Sequence, residues 1–462
     1  MVINKLLAFC PVLQSAYYRR FLVGKTHRIA CVSVLSLLSL VASAEELSLQ
    51  QAVEKAVSQD DWLISSQQKE NAIRALSQGM TALPDPKVNV GLLNMPTDSF
   101  DFNQEAMTQF NVSVSQMFPA GDTLRLTGEK YAAQGDQMPL MRDNRRAMLA
   151  MEVSNLWLTA YSYEESIKLV KQNRTLFEQL HEVVESSYSS AYGRAKQQDL
   201  VRSELELIKL DHRLTQLRQA KENALKKLSQ YILPKMADRN TADQDITLKT
   251  TGEPIMATPS DSLSSLSSNS VALAARLSQH PLVRIVDVQS NTAQIDKATA
   301  EQKYKPEWGV TLGYGYRGDD LSGKDRADLA SIAVSVSVPI FSSSRQDAQV
   351  KAASLQVESL LSEKQLVLNE LMAKYRALTS DLALLDQRIR LYQTKLLPSY
   401  RESAQTMLNA YTSNDGVFSD VVQARIATLN AQIELLNIRI ERFKRLAELN
   451  YVMAQGEEVK LK

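Results

Sequence analysis

The chain has 462 residues but contains 15 glycines and 13 prolines, and this scarcity of helix- and strand-breaking residues favours long uninterrupted elements. There are 53 Lys and Arg residues against 52 Asp and Glu residues, a formal net charge of +1. The basic residues are spread along predicted helices instead of forming a patch, which argues against nucleic acid as a partner. The sequence shows no Ser-His-Asp set, phosphate-binding loop or paired buried carboxylates, so we expect neither an enzyme nor a bound cofactor.

Residues 1–44 have the pattern of a secretory signal peptide. Basic residues come first, an apolar run extends from Ile29 to Val41, and Ala42-Ser43-Ala44 provides small residues for cleavage. Cys10 and Cys31 both precede that site, so the mature chain is expected to contain no cysteine. Since no later segment approaches eighteen consecutive apolar residues, a membrane would have to be crossed by strands.

The first part of the mature chain is predicted to contain one helix and two strands. The helix extends from Leu47 to Leu83, and Pro84 ends it because proline cannot continue a helix. The strands lie at about 87–94 and 108–118. The second strand has the period-two pattern of two unlike faces, with Phe110, Val112 and Val114 alternating with Asn111, Ser113 and Ser115.

Two long helices are predicted to follow these strands. The first covers residues 121–188, which at about 1.5 Å per residue would reach roughly 100 Å. Its apolar residues recur at alternating spacings of four and three, a heptad seam that Arg174 interrupts. A turn containing Gly193 precedes the returning helix, whose seam is broken at Lys221. The seam of the first helix consists of Leu149, Val153, Leu156, Ala160, Tyr163, Ile167, Val170 and Phe177.

The second half of the chain repeats this order. A helix from Leu282 to Tyr304 ends before Pro306, and strands follow at about 308–316 and 328–339. Pro84 aligns with Pro306 (306 − 84 = 222), and Val114 aligns with Val336 at the same offset (336 − 114 = 222). Agreement between two independent landmarks indicates an internal duplication.

A second pair of helices completes the second half. The seam of the last helix is the most regular of all, and Pro398 is expected to kink the helix before it without necessarily ending that helix. A turn at 413–416 precedes the last helix. The predicted organisation is therefore a signal peptide (1–44), a first strand-strand-helix-helix repeat (45–240), a Ser-rich linker or equatorial segment (241–270), a second repeat (271–455) and a C-terminal tail (456–462).

The four strands are predicted to be part of a shared membrane barrel. Each is about long enough to cross a bilayer when tilted, with one apolar face and one face of small or polar residues. An ordinary hairpin on a soluble core would have the same alternation. Four strands cannot close a barrel, and open edges in lipid would cost several kcal/mol per unpaired group. The chain is therefore expected to oligomerise, so that several copies contribute to one barrel above a helical tube.

The turns between the long helices resemble those of the TolC family of outer-membrane efflux proteins. The family pattern has a Tyr, a Gly three residues on, and Asp-Val-Leu six residues further. The second half matches it with Tyr411, Asn414 in place of the Gly, and Asp420-Val421-Val422. In the first half Gly193 and Asp199-Leu200 fit. The resemblance covers the mature chain from about Leu47 to Met453.

This resemblance implies a mainly α-helical fold with a small β-barrel portion. It implies a homotrimer with a twelve-stranded barrel in the outer membrane of a Gram-negative bacterium and a coiled-coil tunnel (α-barrel) in the periplasm. Family members contact outer-membrane lipid, a periplasmic adaptor (membrane fusion) protein and an inner-membrane efflux pump. They conduct substrates and do not catalyse a reaction.

The resemblance also implies a gate at the helix tips. In the family an Asp of the first hairpin meets a Tyr and an Arg of the second, and these positions are Asp199, Tyr411 and Gly416, so the Arg is missing here. Asp420 would belong to an acidic ring at the constriction, while the second ring position holds Gln423. The alternative for Asp199 and Asp420 is a helix-capping role, which can coexist with gating.

Methionines crowd one region of the sequence, and thioethers are soft ligands for Cu(I) or Ag(I), although Met also fills irregular packing. The segments 83–86, 94–96 and 118–119 resemble the heavy-metal branch of the family, whose pumps export copper, silver or divalent ions. His181 and His212 sit singly on helices and predict no metal site. The methionines in question are Met80, Met95, Met107, Met117, Met138, Met141, Met148 and Met151.

The leading hypothesis is an efflux duct for metal ions that contributes to heavy-metal resistance. The same architecture would serve protein secretion or multidrug efflux. A periplasmic coiled-coil scaffold would account for the heptads, but it would leave the two-faced strands without an explanation.

Overall fold

The computed structural model describes residues 46–190, 195–232, 247–248, 254, 256, 269–413 and 415–455. The predicted signal peptide, most of the predicted linker, Gly193, Asn414 and the C-terminal tail lie outside the described residues. Within them, no helix combines the length and the apolar composition that a membrane-spanning helix requires.

The first half of the chain forms two short helices, two sheet strands and one long helical hairpin. The element bounds are β1 Glu46–Leu47, α1 Leu49–Ser58, α2 Asp61–Gly79, β2 Lys87–Leu93, β3 Gln109–Phe118, α3 Thr123–Ser189 and α4 Gln197–Ile232.

The second half forms the same order of strands and long helices. Its bounds are β4 Thr247–Leu248, α5 Ser270–Leu277, α6 Pro281–Gln302, β5 Glu307–Tyr316, β6 Leu329–Ser337, α7 Ser342–Leu391, a π-helical turn at Tyr392–Leu396, α8 Leu397–Thr412 and α9 Phe418–Val452. Corresponding elements begin at nearly constant offsets, since 307 − 87 = 220, 342 − 123 = 219 and 418 − 197 = 221. These offsets are close to the one that the aligned prolines and valines predict from the sequence.

The segment predicted as one helix from Leu47 to Leu83 is in fact two helices, and this part of the prediction was wrong. α1 begins at a capping box in which the Ser48 hydroxyl accepts from the backbone N–H of Gln51 and the Gln51 side chain accepts from the backbone N–H of Ser48. α2 begins at Asp60, whose carboxylate accepts from the backbone N–H of Trp62. A good N-cap in mid-segment allows a new helix to start there, although the apolar pattern runs on.

The four longer strands form one antiparallel sheet in the order β2-β3-β5-β6. The two halves of the chain meet at its centre, where β3 pairs with β5 and Phe110 lies opposite Tyr316. β2 and β6 are the edge strands. The strands were therefore predicted within two residues at each end, and the sheet order joins the two repeats side by side.

The long helices form a wall below the sheet. α3 packs against α4 on one side and against α9 on the other, and α9 in turn packs against α7 and α8. The charged residues that interrupt the predicted seams form ion pairs between α3 and α4. Arg174 contacts Asp211 at 2.7 Å, and Lys221 contacts Glu164 at 2.8 Å. Apolar residues at the heptad positions thus hold the hairpin together, and the charged residues that interrupt the pattern add ion pairs.

A core near the middle of the wall joins the N-terminal segment to the hairpins. Val53, Trp157, Leu158 and Leu228 are buried there, and the Trp157 indole N–H donates to the Leu47 carbonyl at 3.0 Å. β1 pairs in parallel with β4, the part of the predicted linker segment that the structure describes as a strand. This pairing fastens both ends of the first repeat to the same place.

Candidate functional site

The sheet has one continuous apolar face, and this face is exposed to solvent in the single chain. Ile332 is 77% exposed and Val90 is 61% exposed, although both side chains are of the kind that normally lies in a core. The register places apolar residues opposite one another across all four strands. Members of the face are Val88, Val90, Leu92, Phe110, Val112, Val114, Trp308, Val310, Leu312, Tyr314, Tyr316, Ile332, Val334 and Val336.

The opposite face of the sheet carries small and polar residues. Asn111 lies opposite Gly315, and Ser113 lies opposite Gly313. An added Cβ at Gly309 would lie 2.4 Å from the Ser335 hydroxyl oxygen, so the Ser335 side chain would have to move to admit it. A sheet with one face for an apolar phase and one for water suits the wall of a pore.

Both edges of the sheet are open in the single chain. β2 pairs with β3 alone and β6 pairs with β5 alone, so each edge strand has one side without a strand neighbour among the described residues. An unpaired edge next to an exposed apolar face is a place where another strand can add. The sheet is therefore incomplete as a membrane structure until further strands join it.

Two arginines tie together the loops at the far end of the sheet. Arg317 donates to the Ala106 carbonyl at 3.2 Å, and Arg326 donates to the Glu105 carbonyl at 3.2 Å. Phe102 stacks on Tyr316, with ring centroids 6.2 Å apart. The loop after β2 and the loop after β5 therefore hold each other in place, although they belong to different halves of the chain.

The tips of the two helical hairpins pack into one apolar cluster at the other end of the molecule. Phe418 and Val422 of α9 are buried in it, together with Phe177 and Val184 of α3. Tyr411, at the end of α8, packs on the edge of this cluster, and its ring lies 5.5 Å from that of Phe418. The structure therefore brings together the ends of α3, α4, α8 and α9 that lie next to these turns.

Asp199 lies in the first turn of α4 and is buried, with 9% of its surface exposed. Its carboxylate accepts a hydrogen bond from the backbone N–H of Lys196 at 3.0 Å. An acid in the third helical position that accepts from the N-cap residue stabilises a helix start. The capping role weighed in the sequence analysis is therefore present, and it fixes the position of the carboxylate.

Tyr411 is close enough to Asp199 to be affected by its charge. Burial, and secondly the negative charge of Asp199, raise the pKa of the Tyr411 phenol above its ordinary value. The structure shows no hydrogen bond between these two described side chains. The arrangement keeps Tyr411 neutral and protonated, so its hydroxyl remains able to donate to a carboxylate.

Gly416 lies in the tight turn that follows α8. The Asp415 N–H donates to the Ala410 carbonyl at 2.9 Å, and a Cβ on Gly416 would lie 2.9 Å from the Tyr411 backbone nitrogen and 3.0 Å from Ala410. This turn therefore has no room for the arginine that the family carries at this position. Gly193 and Asn414, the other predicted turn residues, lie outside the described residues.

Asp420 lies in the first turn of α9 and is exposed. Its carboxylate accepts from the Ser419 hydroxyl at 3.1 Å, and the N-cap residue of α9, Val417, provides no side-chain cap. Asp199 and Asp420 thus differ, because the first carboxylate caps a helix within the cluster and the second faces solvent.

The described residues contain no group of three or more His, Cys, Asp or Glu side chains that could hold a metal ion. His181 bonds through Nδ1 to the Ser203 hydroxyl at 2.7 Å, and His212 is exposed. Met107 and Met117 are exposed near the sheet, at 55% and 40%.

Sequence reasoning missed Phe418, a buried aromatic side chain of the tip cluster, and Thr428, a buried hydroxyl on the same helix. Phe418 stands just before the Asp-Val-Val segment, outside the seam pattern. Thr428 is polar and falls between seam positions, so hydrophobic spacing gave no signal for it.

The fold built from these parts is that of the TolC-family outer-membrane channels. No protein-family model matches the chain, and no curated protein matches it by sequence.

The solved structures show the likeness over nearly the whole chain. The outer-membrane channel OprN is 15% identical with a TM-score of 0.71, covering 88% of this chain and 90% of its own. The open state of the MtrE outer-membrane channel of Neisseria gonorrhoeae is 15% identical with a TM-score of 0.69, covering 90% of each chain. CusC, studied for transmembrane channel formation, is 14% identical with a TM-score of 0.68, covering 89% of this chain and 93% of its own. The resemblance predicted from the helix tips is confirmed at the level of the fold.

Proposed function

We propose that this chain is the outer-membrane exit duct of a tripartite efflux system. In this role it passes substrates from an inner-membrane pump and a periplasmic adaptor to the cell exterior. The observation that carries the proposal is the sheet, whose apolar face is largely exposed while most residues of its other face are small or polar. The fold shared with outer-membrane channels supports it, and the predicted signal peptide agrees with export.

The open sheet edges support assembly from several copies. In lipid, each unpaired backbone group costs several kcal/mol, so β6 of one copy would pair with β2 of the next. Such a head-to-tail contact must close into a ring. Three copies with four strands each would give the twelve strands that the family resemblance implies, and the smallest closed barrels have about eight.

The helical wall supports the same ring. Val201, Leu205 and Ile208 are exposed on α4 at spacings of four and three, on the face turned away from α3. Leu391 and Met407 are exposed on the opposite edge of the wall, on α7 and α8. The rotation that pairs β6 with the next β2 also brings these two apolar edges together. The strand contact and the helix contact involve the same two sides of the chain, so a single rotation axis would form both.

The hairpin tips are the proposed gate. Asp199 and Tyr411 would hold the two hairpin tips of one chain together at the closed end, and three copies of Asp420 would form an acidic ring that attracts cations. Because Gly416 has no room for an arginine, this gate would close through the apolar cluster around Phe418 and the Asp199–Tyr411 pair.

The repeated element order is in keeping with the proposed duplication of a single unit.

The proposed cargo is metal ions. This rests on the sequence segments that resemble the heavy-metal branch. CusC is no more similar to this chain than OprN is, so the fold comparison does not favour one cargo. A deletion strain is expected to become more sensitive to copper or silver than to dyes and detergents. Equal sensitivity to both groups would favour multidrug efflux or secretion instead.

Fractionation and conductance test the duct itself. The mature chain is expected in the outer-membrane pellet, as a species whose gel mobility changes on heating, and to form pores in planar bilayers. A water-soluble monomer without affinity for detergent micelles would overturn the proposal and would favour the scaffold.

A further inference from the structure

The long helix of the second hairpin is interrupted before it reaches the tip. At Tyr392–Leu396 the backbone makes a π-helical turn, in which the Leu397 N–H donates to the Tyr392 carbonyl five residues back. Pro398 follows at the start of α8 and cannot donate a backbone hydrogen bond. Short π-helical turns inside α-helices accommodate an extra residue and often occur at functional sites.

The first hairpin has no such break at the matching place. The offset between the two repeats maps Tyr392 onto Val170 (392 − 222 = 170), which lies inside α3, and α3 continues to Ser189. Its proline, Pro139, lies far from the tip and does not interrupt the helix. The π-helical turn is therefore a property of the second hairpin, and the two otherwise similar halves differ there.

Ion pairs fasten α9 to α7 on one side of this turn. Arg442 contacts Asp386 at 2.6 Å, and Arg388 contacts Glu434 at 3.1 Å. A third pair, Arg445 with Asp381, has a separation of 3.6 Å. Each is partly exposed and contributes little alone. Together they fix the direction of α7 along α9 up to Arg388.

Beyond the turn the contacts with α9 are of another kind. Leu397 packs against Ala431 and Leu435 in a small apolar cluster, and apolar contacts of this type lack a fixed direction. A polar contact is also present, in which the buried Thr428 hydroxyl donates to the Tyr400 carbonyl at 3.1 Å and to the Ala424 carbonyl at 2.8 Å. Among the described residues, α8 is thus held on α9 by apolar contacts, which include Tyr411 against Phe418 at the tip, and by the shared Thr428 hydroxyl, whereas α7 is held by several ion pairs.

We propose that Tyr392–Leu396 is a hinge at which α8 bends away from the line of α7, and that Thr428 is the latch that holds α8 in the straight position. In the bent position the Thr428 hydroxyl keeps its hydrogen bond to the Ala424 carbonyl and loses its hydrogen bond to the Tyr400 carbonyl. As a means of opening the duct the hinge rests on the proposed function, but the bending itself is a property of one chain.

Spin labels within one chain test the hinge. The predicted mature chain contains no cysteine, so cysteines introduced at two chosen positions would be the only labelled sites. Exposed Ser380 and Gln405 span the turn, about 38 Å apart along a helix, and exposed Gln356 and Ser380 lie within α7, about 36 Å apart. Because the spanning pair would sample two positions, its distance distribution is expected to be roughly two-fold wider than that of the pair within α7. Equal widths would overturn the proposal.

Two variants test the roles of the π-helical turn and of Thr428 separately. Deleting exposed Gln393 removes the extra residue of the π-helical turn, so the spanning distribution is expected to narrow to the width of the α7 pair. Thr428→Val should increase the shorter-distance component, while Thr379→Val, which removes a hydroxyl bond within α7, should leave it unchanged. A spanning distribution unaltered by both the deletion and Thr428→Val would contradict the assignment. The α7 pair reports whether each variant is folded.

The same variants separate the hinge from the duct. If Thr428→Val also raises the open probability of single channels and Thr379→Val does not, the hinge opens the pore. If the preparation conducts no ions and the spanning pair is still wide, the proposed function fails and the hinge stands. If it conducts and the spanning pair is narrow, the hinge fails and the function stands.

Discussion

At the scale of single residues, the second hairpin tip depends on one position without a side chain. Gly416 lies against the backbone of Ala410 and Tyr411, and the resulting turn directs the chain into α9 with Phe418 buried. The sequence identified this position by the family arginine that it lacks. The reason for the glycine, close backbone contact, required the structure.

Gly416→Ala is expected to destabilise the protein by about 1–3 kcal/mol, because the added methyl group overlaps backbone atoms that cannot move aside. Gly79→Ala is the matched control. Gly79 ends α2 with no atom within 4 Å of an added Cβ, and this change should stabilise the helix by about 0.5–1 kcal/mol. Thermal unfolding in detergent measures both, and equal effects would show that the turn tolerates a side chain.

Asp420→Asn is expected to lower the cation selectivity of the reconstituted pore, because it removes an exposed charge from the proposed constriction. Asp415→Asn, at an exposed acid in the preceding turn, is the control and should have a smaller effect. Reversal potentials in a salt gradient measure the selectivity. Unchanged potentials in the Asp420 variant would remove that residue from the constriction.

At the scale of elements, His280 joins three helices. Its Nδ1 accepts from the Leu282 N–H at 3.2 Å and so caps α6, while its Nε2 bonds to the Tyr451 carbonyl at 3.0 Å near the end of α9. The Tyr451 ring also lies near Lys374 of α7. A histidine with one nitrogen accepting and one donating is neutral. Burial lowers the pKa of the His280 imidazole, outweighing the bond to Tyr451 that raises it.

This arrangement predicts a pH dependence of stability. The pKa of His280 is lower in the folded than in the unfolded chain, so the unfolded chain binds the proton more readily. The stabilising effect should be fully present above the unfolded pKa of about 6.5 and should be lost as the pH falls below it. His280→Asn, which keeps an acceptor for the cap, should flatten this part of the curve of melting temperature against pH. His212→Gln, at an exposed histidine, should not, and equal slopes in all three proteins would refute the assignment.

The elements themselves were largely predictable, because the period-two strands and heptad helices carry their pattern in consecutive residues. Pro398 correctly indicated an irregularity in the second hairpin. The break at Asp60 was missed because a cap requires one residue and leaves the apolar pattern intact. His280 was missed because a buried histidine has no spacing signal, and the pairing of β1 with β4 was missed because two-residue strands have no periodicity.

At the scale of the whole molecule, the two faces of the sheet are suited to opposite surroundings, one to an apolar phase and the other to water. Val90 lies at the centre of β2 on the apolar face, and Asn89 beside it faces the other side. Neighbouring residues of one strand therefore test which face meets lipid. The sheet order could not be predicted from the sequence, since period two gives the faces of each strand but not its neighbours.

Val90→Arg is expected to cost about 2–4 kcal/mol if this position lies at the bilayer midplane, and to reduce the amount of assembled outer-membrane protein. Asn89→Arg places the same charge on the small and polar face and should assemble normally. The heat-modifiable fraction in outer-membrane pellets measures the difference. Equal loss in both variants would contradict the proposed orientation of the sheet.

The pairing of β3 with β5 has a consequence for biogenesis. Phe110 and Tyr316 are neighbours across strands although they come from different halves of the sequence. Contacts this remote form slowly compared with a helical hairpin, so the β3–β5 pair at the centre of the sheet forms only after the second half of the chain has been made. During that interval β2 and β3 are an apolar hairpin without a partner, which is prone to aggregate.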